Sequence, residues 1–355
     1  MCKNLKILFS IIILLGINSC DYCNTAGNPV QEESDIYFSS TGVNAIAPGL
    51  FRINKDGTKF REILPNGLLY SSPTKSGIKK IAYLIDDPSG RRYIATCDID
   101  GRNIIYVPTE PATVPYQQPT ISSDGKCISY ILGTRELWLY KSIKEQYRLS
   151  SRFALETLQA FSPDGTKIAF YEGENIESEF TIRVMDVSVD PPKEIMKKKF
   201  DDGLRLWKGL ATISWTKDSR FIIYVNSVSP TIDMINITEI SNPENTESYE
   251  IAGMGAYMPS LSNDLNRLAF AGRDGNIWIR NLSKITPKYI NLTESGNVSY
   301  NLYPKWSNDD NLILFNKYFK DDLNPFSSNL EIVRTDSTKK ITVLCNNSFI
   351  GFWNR

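Results

Sequence analysis

The 355-residue sequence contains no histidine. That single absence removes Ser-His-Asp and Cys-His catalysis, and with them the commonest transition-metal ligand. No Gly-x-Ser-x-Gly elbow and no phosphate-cradling glycine loop stands in its place, so neither catalytic residues nor metal ligands nor a cofactor are expected. Charge of one sign is missing too: 40 Lys and Arg balance 40 Asp and Glu. Loss of the first twenty residues takes Lys3 and Lys6 and leaves 38 basic against 40 acidic side chains. Nucleic-acid binding rests on a basic excess that this chain lacks. The apolar stretch near the N-terminus, residues 7–15, is too short to span a bilayer comfortably.

Cysteine is sparse, six in all. Cys2 and Cys20 lie in the N-terminal stretch and Cys23 just after it, while Cys97, Cys127 and Cys345 sit within apolar strand patterns. Cys97 and Cys127 read as small buried hydrophobes, with a disulfide between neighbouring units as the alternative.

What the chain has is a repeated phrase. Phe161-Ser162-Pro163-Asp164-Gly165-Thr166-Lys167-Ile168-Ala169-Phe170 returns in degraded form around Ser122-Ser123-Asp124-Gly125, Thr216-Lys217-Asp218, Ser262-Asn263-Asp264 and Ser307-Asn308-Asp309. Ser72 is its weakest copy, because residues 73–80 lengthen the turn. Successive anchors are 50, 40, 54, 46 and 45 residues apart. A period of this length marks an array of one supersecondary unit. Each unit reads as four short strands: an apolar one ending at the Ser/Thr-x-Asp turn, a second after the turn, an alternating third and a polar outer fourth. Six units are complete. Residues 35–40, 50–54 and 59–64 match strands two to four of another unit, and 349–353 matches a lone first strand. The expected fold is therefore all-β, a β-propeller of seven four-stranded blades closed by the terminal strand 349–353, with six blades as the competing count. The repeated Asp124, Asp164, Asp218, Asp264 and Asp309 are expected to cap turns rather than do chemistry. The run 98–101 likewise reads as a hairpin turn rather than a calcium loop, and the pairs Asp201-Asp202 and Asp321-Asp322 as solvated loop charge.

With its aromatic-Ser-Pro-Asp-Gly turn the unit resembles that of TolB-like, WD-repeat-like propellers, over roughly residues 35–355; only 161–170 keeps the full motif. The resemblance implies the fold, and function weakly, since one fold hosts unrelated functions. The missing histidines count against the oligogalacturonate lyases of that class.

The N-terminus has Lys3 and Lys6, then the short apolar stretch, then Ile17-Asn18-Ser19-Cys20, which resembles a bacterial lipobox with Asn18 as its departure. The resemblance implies residues 1–19 as a lipoprotein signal peptide, acylation of Cys20, and 20–34 as a flexible tether to the propeller at 35–355. An ordinary cleaved signal with a secreted product is the alternative. The expected location is the bacterial cell envelope, at the outer membrane or cell surface rather than the inner membrane.

Function is expected on the face where the loops joining strands two to three, and unit to unit, emerge. The candidate binding residues there are Tyr116, Phe153, Arg205, Trp207, Tyr257, Tyr300, Tyr303, Phe319 and Phe326. Aromatic and Arg side chains on loops are what protein hot spots and sugar-stacking platforms are built from. The expectation is a non-enzymatic lipid-anchored propeller that binds an envelope protein partner; the alternative is a carbohydrate-binding or carbohydrate-degrading accessory lipoprotein.

Overall fold

The structure, a computed structural model, describes residues 35–41, 48–71, 73–74, 78–86, 91–108, 116–133, 135–152, 158–173, 180–200, 212–283, 285–321 and 328–354. The expected signal peptide and tether, including Cys20, lie outside these residues, as do Phe153, Arg205, Trp207 and Phe326. The described residues fall in the compact unit Glu33–Arg355.

All of its regular elements are strands. β1 (Ile36–Ser40), β2 (Gly49–Ile53) and β3 (Arg61–Leu64) come first, followed by β4 (Leu68–Leu69), β5 (Lys80–Asp86), β6 (Arg92–Asp98) and β7 (Ile105–Tyr106). Next are β8 (Tyr116–Ile121), β9 (Ile128–Leu132), β10 (Glu136–Ser142) and β11 (Glu145–Ser150), then β12 (Ala160–Phe161), β13 (Lys167–Gly173), β14 (Phe180–Asp186) and β15 (Lys193–Phe200). They continue as β16 (Ser214–Trp215), β17 (Phe221–Ser229), β18 (Ile232–Glu239) and β19 (Thr246–Ala252), and as β20 (Tyr257–Leu261), β21 (Arg267–Ala271), β22 (Ile277–Asn281) and β23 (Tyr289–Asn291). The last are β24 (Ser299–Trp306), β25 (Leu312–Phe319), β26 (Ser328–Arg334) and β27 (Ile341–Trp353).

Five sheets are four-stranded antiparallel meanders: β4–β7, β8–β11, β12–β15, β16–β19 and β20–β23. The sixth has seven strands in the order β24-β25-β26-β27-β1-β2-β3. Its hinge is β27, whose first half pairs with β26 (Val333↔Ile341) and whose second half pairs with β1 (Ile36↔Trp353). The sequence reads a linker between a fourth strand ending at Leu344 and a terminal strand starting at Phe349. Instead the strand runs on, and the polar stretch is absorbed as a bulge with Asn347 at φ 53. Asn is among the residues that tolerate this conformation best.

The core lies between sheets. Phe161, Ile168 and Phe170 pack on Leu137 and Leu139 of the sheet before, and Tyr171, Ile182 and Val184 pack on Ile222 and Tyr224 of the sheet after. Tyr37 and Ile350 meet Leu69, Ile81 and Tyr83 across the junction of the two chain ends with β4–β7. Cys97 belongs to that cluster and Cys127 to the one holding Phe161, so the two thiols sit at different junctions and both are free. Burial pushes Cys97 up to about 12 and Cys127 up to about 11.

The repeated phrase folds identically in five places. The anchor hydroxyl of Ser122, Ser162, Thr216, Ser262 and Ser307 donates to the Asp two residues on, at 2.5–2.6 Å. It also accepts from the amide five residues on, at 2.9–3.1 Å. These are the expected capping turns. In the first four-stranded sheet the accepting half of this falls to Thr74, whose Oγ1 accepts from Lys80 N, six residues on, at 2.8 Å, so the anchor lies two residues beyond Ser72.

The motif's Gly occupies a left-handed position, φ 70 at Gly125 and 78 at Gly165. The degraded copies keep that backbone with Ser219 (φ 61), Leu265 (φ 59) and Asp310 (φ 56). Two of the three gain a bond to the preceding turn. Ser219 Oγ accepts from Asp164 N at 3.0 Å, and the Asp310 carboxylate accepts from Asn263 N at 2.8 Å and Asp264 N at 2.9 Å. Leu265 is 48% exposed and has no such polar group. Leu265→Gly is therefore expected to stabilise by about 0.5–1 kcal/mol through relief of the left-handed strain. Asp310→Gly is expected to lose about 1–3 kcal/mol despite the same relief, because it orphans amide donors. Urea titrations of the two variants check the opposite signs.

The turn carboxylates also set the acid limit. Partial burial alone would raise Asp164, but hydrogen bonds from Ser162, Thr166 and Lys167 overcome it and hold the carboxyl at about 2. The Ser307 hydroxyl, followed against burial by Asn311, does the same for Asp309, also at about 2. Both lie below the ordinary value of 3.8, so their contribution is complete above that value and is lost as pH falls toward 2. The urea midpoint should fall over that window, and the Asp164→Asn, Asp309→Asn pair should flatten the fall.

Candidate functional site

The first strands of the repeats converge on a cavity of about 260 Å³. The residue two before the anchor lines it in each of five sheets, as Thr120, Ala160, Ser214, Ser260 and Lys305. Phe352 stands in the same relation to Asn354, whose amide donates to Asp35 O just as Ser307 N donates to Leu312 O. Tyr70 and Ser71 complete the wall from the end of β4. Neighbouring first strands are stitched by indoles: Trp215 Nε1 donates to Ala160 O at 3.0 Å, Trp306 Nε1 to Ser260 O at 2.9 Å and Trp353 Nε1 to Lys305 O at 2.9 Å. Lys305 is the charged side chain of the wall. Its Nζ donates to Gly351 O at 2.8 Å and lies 3.5 Å from the centroid of the Phe352 ring.

The second feature is the rim at the strand ends opposite the anchor turns. The sequence places Tyr257, Tyr300 and Phe319 in loops and Tyr303 where a loop meets a first strand, and all four are strand residues. Tyr257 opens β20 and is 7% exposed in a core cluster with Ile277 and Phe315. Burial raises its phenol, against the Arg273 hydrogen bond and charge. Tyr303 packs against the same cluster and lines the cavity, and burial pushes it up to about 12. Tyr116 begins β8 rather than ending a loop. Tyr300 and Phe319 do reach solvent, because β24 and β25 pair as far as Ser299↔Phe319 and carry the hairpin past its neighbours' core. They are 46% and 39% exposed, beside Val298 at 55%. Lys320 Nζ stands 4.7 Å from the Tyr300 ring and Lys317 Nζ 5.6 Å from the Phe319 ring, and Lys320 also donates to Gly296 O.

That rim is supported by a buried amide. Asn276 Oδ1 accepts from Ser295 N at 2.9 Å, Gly296 N at 2.8 Å and Thr293 Oγ1 at 3.1 Å, while its Nδ2 donates to Asp274 Oδ2 at 2.8 Å. Gly296 is obligatory here, since a Cβ would sit 2.1 Å from Asp274 O. Asn276 and Lys305 lie outside the repeated turn, so its pattern does not mark them. The signal for Lys305 is its departure from neutral residues at the equivalent positions. Among the described residues no cluster of His, Cys, Asp and Glu could hold a metal.

No protein-family model and no curated protein matches the sequence. Solved structures do. TolB from Acinetobacter baumannii is 18% identical with a TM-score of 0.45, over 78% of this chain and 66% of that one. A putative TolB from Agrobacterium tumefaciens is 16% identical with a TM-score of 0.47, over 70% of this chain and 86% of that one. A prolyl endopeptidase is 12% identical with a TM-score of 0.55, over 84% of this chain but only 46% of that one. The chain thus spans just under two thirds of the first and less than half of the third. At these identities the likeness is one of fold: an all-β chain of four-stranded antiparallel sheets arranged as propeller blades.

Proposed function

We propose that this chain is a non-enzymatic, lipid-anchored propeller of the bacterial envelope that binds a protein partner through the rim carrying Tyr300 and Phe319. In this reading the seven-stranded sheet counts as two four-stranded blades sharing β27, which makes seven, and the packing of Ile350 and Tyr37 on Ile81 supports closure by the C-terminal strand. Residues 1–19 are the signal peptide, Cys20 is acylated and 20–34 tethers the domain, at the outer membrane or cell surface.

The observation that carries the binding role is the solvent exposure of Tyr300 and Phe319 at one end of the β24–β25 ladder, each ring beside a lysine. Large rings in a fixed pose bring contact area at low entropic cost, and cations on their faces suit an acidic partner surface. Lack of histidine and engagement of the repeated aspartates in turns support the absence of catalysis. Arg205 and Trp207 remain candidates for the same face.

The test is crosslinked capture from envelope extract with the intact chain. Tyr300→Ala with Phe319→Ala is expected to lower recovery of one specific partner at least about tenfold, as for a hot-spot pair, without shifting the unfolding midpoint by more than surface changes do. Unchanged recovery removes this rim. A glycan array with turnover measurements arbitrates for the carbohydrate reading, and Cys20→Ala should abolish palmitate labelling.

A further inference from the structure

We propose that the central cavity is a second binding site, separate from the rim, for a small aromatic carboxylate. Three observations converge on it. The first is size: about 260 Å³ approaches the roughly 300–1,000 Å³ of small-molecule pockets.

The second is an asymmetry that the repeat makes visible. Six positions are equivalent by their place before the anchor, and five carry neutral side chains while one carries Lys305. At the other five positions, Thr120, Ala160, Ser214, Ser260 and Phe352, the ring is built without a cation, whereas Lys305 ties its strand to Gly351 O and stands on the Phe352 ring. Among the described residues the cavity thus carries one cation, set on one side of its wall.

The third is shape. Lys305, Phe352 and Tyr70 come from sheets that follow one another around the cavity, whereas Thr120, Ala160, Ser214 and Ser260 form the remaining arc. Phe161, Trp215 and Met258 also line that arc, so rings flank the space and the cation lies on the Phe352 side. The ammonium is held by Gly351 O and the Phe352 ring, which preorganises it instead of leaving it to sweep. Walls of low dielectric focus its field on whatever enters. A carboxylate meets Lys305, and a flat apolar body fills the space beside the rings.

The experiment is isothermal titration of the full chain carrying Cys20→Ser, purified without detergent, with naphthalene-2-carboxylate. One saturable site is expected. Lys305→Met, which keeps the stem's packing, should weaken it by about tenfold or more, the worth of a charge-assisted hydrogen bond. The uncharged naphthalene-2-methanol should bind the unmutated cavity more weakly by a similar factor, an arm that needs no variant to fold. Ala160→Leu fills space in the cavity without touching charge and should abolish binding. Equal affinity of acid and alcohol, equal affinity of Lys305→Met, or no saturable heat at millimolar ligand overturns the proposal. Rim variants should leave this titration unchanged, so the two sites stand or fall separately.

Discussion

Removal of residues 349–355 is expected to abolish the cooperative unfolding of the whole domain. Ile350 and Phe352 are buried against Tyr37, Leu50, Leu69, Ile81 and Tyr83, so their loss strips one side of a junction. Truncating buried Ile and Phe side chains singly costs about 2–5 and 3–5 kcal/mol. Together they match the roughly 5–15 kcal/mol of a typical domain. The deletion also removes the Trp353 bond to Lys305 O and the Asn354 bond to Asp35 O, and exposes the ladder edge of β1. Calorimetry and near-UV dichroism read the result. Ile350→Ala should remain cooperative with a lower midpoint, which separates a cavity from loss of closure. A truncated chain that melts cooperatively near the parent's midpoint would show that the strand is ornamental.

Asn276→Ala is the second large effect, and it joins stability to binding. The truncation leaves the amides of Ser295 and Gly296 without their acceptor, and an orphaned buried donor costs about 1–3 kcal/mol. A loss of about 3 kcal/mol or more is expected in urea. The damage should spread outward, because Gly296 O holds Lys320 and Lys320 covers the Tyr300 ring. Partner capture should therefore fall even where the protein is fully folded. Asn276→Asp keeps the acceptor but loses the donation to Asp274 and sets two carboxylates together. It should recover less stability as pH rises. If Asn276→Ala captures partner normally in its folded state, the rim does not depend on this loop.

The sequence revealed most where it repeats. A hydroxyl, a carboxylate two residues on and a left-handed position after that form a self-contained circuit, so five copies of the turn could be read without any knowledge of their surroundings. Thr74 escaped because its turn is longer and its register is set by pairing with β5. The continuity of β27 escaped for a related reason: Asn346, Asn347 and Ser348 look like a turn locally, and Asn347 does take a left-handed backbone, but pairing with β26 on one side and β1 on the other carries the strand through it as a bulge. The aromatic rim was half legible. Composition finds tyrosines near strand ends, but it cannot tell Tyr257, turned into a junction, from Tyr300, turned to water. The cavity was least legible, since its wall is assembled from single residues some 45 positions apart.

Asp35 and Asn354 share a hydrogen bond, so the two ends of the domain leave it side by side, on the rim of the anchor turns. Tyr300 and Phe319 stand at the far ends of their strands, beyond the Ser307 turn. A force applied at either chain end, through Asp35 or Asn354, therefore loads the end of the domain opposite Tyr300 and Phe319.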